Sequence, residues 1–366
     1  MDKRNVALII ALILIAGAII ALSSLSPNRS YTATPVTPGN RTALNEMKAK
    51  IYPYAKEIED PSGYVNVDNI TIGSLIGKEV ILVDFWTYSC INCERTIPYL
   101  NLWYTKYHPL GLEIIGVHTP EFQFEHDINN VRMAVQKFGI QYPVVLDNDY
   151  ATWDSYGNQY WPEDYLIDID GFIVSKNIGE GNYNETETEI QYLLRERASA
   201  LNLTLNIPNS TSVPTDVVQI NYGEVQSPET YFGAARNEYL ANGKPGTAGN
   251  LTLVIPQSLQ SNALYLGGSW FFADQYATNT GNASVMYRYN AKNVYLVASA
   301  DTPVQVYVKL DGQPVTNSPG SDVIDGIVTV QANQLYTIVQ GTDYGTHTLE
   351  LDIPSPGLKA YTFTFG

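Results

Sequence analysis

The first apolar feature of the chain is an unbroken run from Val6 to Leu22, which follows Lys3 and Arg4. At about 1.5 Å of rise per residue, a helix of this length just crosses the apolar core of a bilayer. The two basic residues favour a cytoplasmic N-terminus, because positive charge collects on that side. The pattern predicts a transmembrane anchor over residues 1–25, with the remaining chain outside the cytoplasm. A cleaved signal peptide is the alternative interpretation.

Between residues 61 and 201, short strand-like runs alternate with segments of helical period. Such alternation predicts an α/β domain with helices on both faces of its sheet. Stretches rich in Pro, Ser, Thr, Asn and Gly predict linkers at 26–60 and 202–215. Strands are expected at Glu79–Phe85, Glu113–His118, Pro143–Leu146, Asp164–Ile169 and Phe172–Lys176, and helices at Glu94–His108, Asp127–Phe138 and Glu185–Arg197.

From residue 216 to residue 366, helical period gives way to alternation of apolar and polar positions. Short alternating runs with turn residues between them are typical of an antiparallel sandwich or jelly roll. This part contains no cysteine, so we expect its stability to come from the core between its sheets. The expected strands are Leu251–Ile255, Ala263–Leu266, Ser284–Tyr289, Asn293–Ser299, Pro303–Leu310, Ile327–Val330, Leu335–Val339, Thr346–Asp352 and Ala360–Phe365.

The chain is acidic, with a formal net charge of -16 at pH 7. An acidic surface repels phosphate backbones and anionic lipid headgroups. We therefore expect neither nucleic acid nor anionic lipid as a ligand.

The only two cysteines, Cys90 and Cys93, lie between the predicted strand Glu79–Phe85 and the predicted helix Glu94–His108. A cysteine that opens a helix has its thiolate favoured by the free backbone N–H groups and the helix dipole. The second cysteine, one turn later, can then resolve a mixed disulfide. The spacing thus indicates a redox pair. A zinc site lacks two further ligands at suitable spacing, and an inert disulfide would close too small a loop to stabilise the chain much.

Several motifs around this pair resemble the thioredoxin fold, which implies a thioredoxin-like first domain. Asp84-Phe85-Trp86 before the CxxC, Gly116 to Glu121, Tyr142 to Asp147 and Trp161-Pro162 resemble the membrane-anchored TlpA/ResA-like thiol-disulfide oxidoreductases. The run Trp86 to Cys93, together with Gly179-Glu180-Gly181-Asn182-Tyr183, is most similar to the DipZ proteins.

The resemblance implies a role for each matching residue. Cys90 is then the attacking thiol and Cys93 the resolving one, with Pro162 a cis proline beside them. Asp84 corresponds to the buried acid that exchanges a proton with Cys93, and Glu121 to an acid near the active site. For Asp84, a capping residue at the strand end remains an alternative, and for Glu121 a solvated loop acid does.

Aromatic residues near the two cysteines suggest an apolar docking rim for a partner protein, formed by Trp86, Tyr88 and Trp161. Core packing explains Trp86 equally well. The end of the chain resembles the carbohydrate-binding-module-like sandwich of DipZ proteins. Glycan binding through Trp270, Phe271, Phe272 and Tyr276 is one interpretation of that sandwich, and substrate docking or a structural spacer is another.

These features favour an extracytoplasmic, membrane-anchored thiol-disulfide oxidoreductase that acts on disulfide-containing or dithiol proteins. It needs no cofactor beyond its Cys90–Cys93 disulfide and no metal. DipZ-like proteins usually carry an electron-conducting CcdA-like membrane domain, and this chain predicts one span only. We therefore expect a separate membrane electron donor, such as a CcdA-like protein.

Two other functions remain open from the sequence. A thiol peroxidase of the redoxin group uses a Pro-x-x-x-Thr-x-x-Cys pattern; here Thr87 fits the threonine, but Val83 replaces the proline. A non-enzymatic surface binding protein would work through its sandwich, and Cys90→Ser would leave its function intact.

Overall fold

The computed structural model describes residues 38–215 and 217–366. The anchor predicted over residues 1–25 lies outside these residues. Across the described ranges, no helix combines the length and the apolar character needed to cross a bilayer.

The first domain is a six-stranded mixed sheet in the order β1-β4-β3-β2-β5-β6. The pairs β4-β3 and β3-β2 at its centre are parallel. The pairs β1-β4, β2-β5 and β5-β6 are antiparallel. The strands are β1 (Gly63–Val65), β2 (Val80–Trp86), β3 (Leu112–His118), β4 (Val144–Leu146), β5 (Glu163–Ile167) and β6 (Ile173–Ile178). The helices are α1 (Pro38–Lys48), α2 (Ile72–Leu75), α3 (Ile91–Tyr107), α4 (Ile128–Lys137), α5 (Ala151–Tyr156) and α6 (Tyr183–Ala200). The predicted α/β class is confirmed.

Strand β2 is buried along its whole length, which explains why all of its residues except Asp84 are apolar. Because side chains alternate along a strand, the residues of β2 pack in two separate cores, one on each face of the sheet. Val80, Leu82 and Trp86 pack in the core that contains Cys93 and Trp103 of α3; Ile81, Val83 and Phe85 pack on the opposite face with Ile72 and Trp153.

Part of the segment predicted as the first linker is ordered in the structure. It forms α1 and then joins the first domain through charged contacts. The Lys48 ammonium donates to Asp168 at 2.6 Å and also to Glu196, while Arg41 Nε donates to Asp170 at 2.8 Å. These three acids are close enough together to hold a metal ion. The two cations occupy the place of such an ion, which explains why this segment folds back on the domain.

The segment predicted as the second linker, 202–215, runs along the surface of the first domain. Lys106 Nζ donates to Ser212 Oγ at 2.8 Å, and the Ser212 N–H donates to Glu187 at 2.7 Å. Its polar composition therefore satisfies hydrogen bonds on α3 and α6.

The second domain is an antiparallel sheet of ten strands around one core, in agreement with the predicted β-sandwich. Two of its strands are much longer than the sequence suggested, because the predicted pairs Ser284–Tyr289 with Asn293–Ser299 and Leu335–Val339 with Thr346–Asp352 each belong to one strand. The strands are β7 (Thr230–Tyr231), β8 (Gly249–Leu253), β9 (Leu264–Phe272), β10 (Ala277–Ser299), β11 (Val304–Leu310), β12 (Gln313–Pro314), β13 (Val323–Ile324), β14 (Ile327–Val330), β15 (Gln334–Ile353) and β16 (Lys359–Phe365).

A register shift between Ala291 and Asn293 replaces the turn that the sequence suggested in β10. This irregularity bends β10 instead of ending it. The first half of β10 pairs with β9 and its last residues pair with β16, while β15 follows it along both parts.

The aromatic cluster predicted as a glycan platform lies largely in the core of this domain. Trp270 is 0% exposed and Phe272 is 1% exposed, whereas Phe271 is 42% exposed. Tyr276 packs against Tyr361 with ring centroids 5.3 Å apart. Of the three predicted platform residues on β9, alternation thus leaves only Phe271 on the surface.

Candidate active site

The two cysteines lie at the start of α3, directly after the loop that follows β2. Cys90 is the N-cap residue of α3, with φ -90° and ψ 116°, and Cys93 is in the first turn. Both are free thiols; Cys90 is partly exposed, and Cys93 is 1% exposed. The strand–CxxC–helix context predicted from sequence is present. It provides one reachable sulfur at the positive end of a helix and one sulfur behind it.

Burial raises the pKa of the Cys93 thiol well above its usual range, and the neighbouring Cys90 and Asp84 act in the same direction. A buried thiolate is costly because nothing replaces its hydration. Cys93 therefore needs a nearby base before it can attack. Asp84, which is 1% exposed on β2, is the acid that the structure places against it.

Pro162 lies beside the thiols, and its Trp161–Pro162 bond is cis, as the resemblance implies. The Cys90 thiol donates to the Trp161 carbonyl oxygen, with 3.8 Å between sulfur and oxygen. The Trp161 indole N–H donates to the carbonyl of Thr119 at 3.0 Å, which fixes its ring. Trp161 is partly exposed and so keeps a surface beside Cys90.

Two of the three residues of the predicted docking rim are buried in the structure. Trp86 is 0% exposed and Tyr88 is 4% exposed, and both rings pack against His118, with centroid separations of 5.2 Å and 5.6 Å. A buried ring offers no surface to a partner. Core packing, the alternative interpretation for Trp86, holds for both residues.

Glu121 faces the second domain. Its Oε1 accepts hydrogen bonds from Tyr231 Oη and Arg236 Nη1, both at 2.8 Å. The Arg236 guanidinium also lies 3.7 Å from the centroid of the Tyr231 ring. Glu121 thus joins the loop after β3 to β7, and an influence on the Cys90 thiol stays a prediction.

The second domain reaches the edge of the thiol site through an apolar cluster. Ile91, next to Cys90, and Phe122 share this cluster with four residues of the sandwich, namely Tyr295, Val297, Leu335 and Tyr361. Arg95, one turn along α3, lies 6.0 Å from the Tyr295 ring centroid and donates to Glu180 at 2.8 Å. The helix that carries both cysteines is therefore held by both domains.

Glu125 is a residue of this site that sequence reasoning missed. Its side chain is completely buried and accepts from Ser89 Oγ at 2.6 Å and from the N–H groups of Glu121 and Phe122 at 2.6 and 2.8 Å. It thereby ties the loop before Cys90 to the loop after β3. The only local signal is that Glu125 is three residues after Phe122, the spacing at which a capping-box glutamate reaches back.

Burial raises the pKa of Glu125 from 4.5 to about 7. A carboxyl group whose pKa is higher in the folded state stabilises the fold below its unfolded pKa, and this contribution is lost as the pH rises through the folded value. Because of Glu125, we expect the free energy of unfolding to fall by up to about 3 kcal/mol as the pH rises from 4.5 to 8. Chemical denaturation across this pH range should show a flatter dependence for Glu125→Gln than for the wild type.

The matched control for that measurement is Glu189→Gln, which changes an exposed acid on α6. Its pH dependence should follow the wild type. Equal slopes for Glu125→Gln and wild type would contradict the assignment.

Two family models cover most of the described chain. Residues 55–176 match the AhpC/TSA family, and residues 227–366 match the family described as thioredoxin like C-terminal domain. Protein DipZ of Mycobacterium tuberculosis is 38% identical over 316 residues, which is 85% of this chain. This chain resembles DipZ through both of its domains. The chain spans 43% of the length of that relative.

Other similarities are confined to shorter stretches. The thiol-disulfide oxidoreductase ResA of Bacillus anthracis is 35% identical over 118 residues, which is 32% of this chain and 65% of ResA. The solution structure of a thioredoxin-like protein in the oxidised form aligns with 40% of this chain and 98% of that one, at 26% identity and a TM-score of 0.38. The predicted resemblance to the TlpA/ResA-like and DipZ proteins is confirmed.

Proposed function

We propose that this chain is a thiol-disulfide oxidoreductase that exchanges disulfides with partner proteins through Cys90 and Cys93. One observation carries the proposal: a partly exposed thiol caps a helix beside a cis proline, and a second thiol is buried one turn behind it. This arrangement provides an attacking sulfur that a partner can reach and a resolving sulfur that it cannot.

The exchange follows from this difference in access. The Cys90 thiolate attacks one sulfur of a partner disulfide, forms a mixed disulfide and releases the other partner sulfur as a thiolate. Cys93 then loses its proton and attacks Cys90 Sγ. The Cys90–Cys93 disulfide forms, the second partner sulfur leaves, and the partner has gained two electrons. The reverse sequence oxidises a partner dithiol.

The names of the relatives support this proposal, because ResA is a thiol-disulfide oxidoreductase and is 35% identical to this chain over 118 residues. The AhpC/TSA match keeps a thiol peroxidase as the second candidate. In the structure, Thr87 is 0% exposed, and its hydroxyl lies 3.5 Å from His118 Nε2. The covered threonine and the Val83 that replaces the proline of the peroxidase pattern favour disulfide exchange.

Two assays on the reduced protein separate these candidates. We expect insulin disulfide reduction by dithiothreitol to accelerate in the presence of the protein, because Cys90 is reachable. Hydrogen peroxide consumption with the same reductant should stay at the rate of the Cys90→Ser variant. Rapid peroxide consumption without insulin reduction would replace the proposal with the peroxidase.

We further propose that residues 1–25 anchor the chain in a membrane by a single span, with both domains outside the cytoplasm. The apolar run from Val6 to Leu22 and the basic pair before it support this placement. The partners are then extracytoplasmic proteins with disulfides or dithiols, and a separate membrane protein of the CcdA type supplies electrons. Phe271 is the one exposed aromatic residue of the predicted glycan platform on β9 and gives only slight support for glycan binding.

A further inference from the structure

Two carboxyl groups face one another beneath the thiol pair. Asp84 of β2 and Asp164 of β5 are direct partners in the antiparallel register. Alternation places them on the same face as Leu82 and Leu166, which pack in the core that contains Cys93. Asp84 is 1% exposed and Asp164 is 4% exposed. Both acids therefore lie between the sheet and α3, the helix of the two cysteines.

On the other side of Asp84, the partner residue on β3 is Gly116, and aromatic side chains fill the space above it. An added Cβ at Gly116 would lie 2.8 Å from Trp86 Nε1 and 3.1 Å from the Tyr142 ring. The Tyr142 hydroxyl is buried as well and has no hydrogen-bond partner among the described residues. Asp84, Asp164 and Tyr142 thus form a small enclosed polar site under Cys93.

No described cation neutralises the two carboxyl groups. Neither Asp84 nor Asp164 forms an ion pair in the described part of the chain, and Oδ1 of each is buried without a hydrogen-bond partner there. As directly opposed residues on neighbouring antiparallel strands, the two aspartates have Cβ atoms about 4.5–5.5 Å apart. Two adjacent buried carboxylates without a cation repel strongly, so a proton between them is the arrangement that lowers the energy. The other titratable groups that face them are Cys93 of α3, Cys90 at its N-cap and Tyr142 before β4. Glu163, next to Asp164 on β5, lies on the opposite face of the sheet and forms an ion pair with Lys176.

We propose that Asp164 is a positioning residue for thiol exchange: it shares one proton with Asp84 in the reduced protein, and loss of that proton creates the base that deprotonates Cys93. This inference rests on the proposed oxidoreductase function. When Cys93 resolves a mixed disulfide, its thiol proton passes to the ionised pair, and its thiolate attacks Cys90 Sγ. The partner sulfur leaves as a thiolate and takes its proton from solvent.

The direction of the pKa changes agrees with this geometry. Burial, followed by the charge of Asp164, raises the pKa of Asp84 well above its usual range. Burial also raises the pKa of Asp164 from 3.8 to about 7. Because the groups are coupled, the two protons leave in steps that belong to the pair.

The test is a pH titration of the reduced full chain, labelled with ¹³C at the aspartate carboxyl carbons and cysteine Cβ atoms and followed by NMR. In the wild type, Asp84 and Asp164 should titrate together in two separated steps, the upper one at or above neutral pH. In Asp164→Asn the upper step should disappear, and Asp84 should titrate at least about one pH unit lower. Asp147→Asn, another buried aspartate that lies outside the pair, should leave both steps unchanged.

Two results would overturn the inference: independent titration of the two carboxyl groups near ordinary values, or an unchanged Asp84 step in Asp164→Asn.

A purely structural role is excluded by the double variant, since Asp164→Asn should shift the Cys93 titration in the wild-type background but not in Asp84→Asn. In single-turnover insulin reduction, the low-pH limb of the Asp164→Asn profile should move down by at least about one pH unit, with a lower plateau. The NMR titration needs no partner protein. A failure of insulin reduction would therefore refute the proposed function, while the titration would still support the shared proton.

Discussion

Cys93→Ser is expected to accumulate stable mixed disulfides with disulfide-containing proteins, each through Cys90. The variant keeps the reachable thiol at the N-cap of α3 but lacks the buried sulfur that releases the partner. Turnover of insulin should fall roughly 10³-fold or more, toward the uncatalysed rate, because removing one member of a catalytic pair removes the function of both. Non-reducing electrophoresis followed by mass spectrometry of the adducts measures the capture.

Cys90→Ser is the matched variant, and it should capture nothing although Cys93 remains. The reason is access: Cys93 is 1% exposed, so a protein disulfide cannot reach it. Adducts of equal abundance in both variants would mean that Cys93 can attack directly, and the assignment of roles would then be reversed. Adducts in neither, against a double-serine control, would count against the oxidoreductase itself.

Phe122→Ala is expected to loosen the two domains from each other. Phe122 is 0% exposed, and its ring lies 5.1 Å from the Tyr361 ring and 5.6 Å from the Phe124 ring, measured between centroids. Truncation of a buried phenylalanine costs about 3–5 kcal/mol of unfolding free energy. Since the Phe122–Tyr361 contact lies between the domains, we expect one calorimetric unfolding transition in the wild type and two in the variant. Cleavage by a protease in the segment 202–229 should become faster.

Tyr361→Phe is a suitable control, because it keeps the ring contacts and removes only the hydroxyl, which lies 3.5 Å from Ser299 Oγ. It should unfold in one transition. A single transition in Phe122→Ala, with a lower midpoint, would show that the two domains still unfold together and would contradict the prediction.

The sequence was sufficient to predict the thiol pair because each of its signals is local. An apolar run, a CxxC and a helical period follow one another within Val80–Tyr107, so the strand, the N-cap cysteine and the helix could be placed without tertiary information. The α/β class followed from alternation of the same kind. In β10, by contrast, the sequence predicted two strands, Ser284–Tyr289 and Asn293–Ser299. Pairing with β15 on one side and β16 on the other keeps the strand continuous through a bulge.

The rest of the candidate site depends on contacts between distant residues. Glu125 reaches Ser89 across 36 positions, and Asp164 reaches Asp84 only because β5 runs antiparallel to β2 in one particular register. A shift of that register by one residue would turn Asp164 to the other face. Nor could the sequence show that Tyr88 is covered, because its burial arises from packing against His118 and Phe124.

The apolar cluster between the domains affects whether either domain can be separated from the other. A cut in the segment 202–229 would respect the two family matches, yet it would leave Ile91, Phe122 and Phe124 uncovered on one product and Tyr295, Val297, Leu335 and Tyr361 on the other. Apolar surface of that kind favours self-association. The boundary that sequence comparison draws therefore divides an apolar cluster, and we expect each product of such a cut to self-associate more readily than the intact chain.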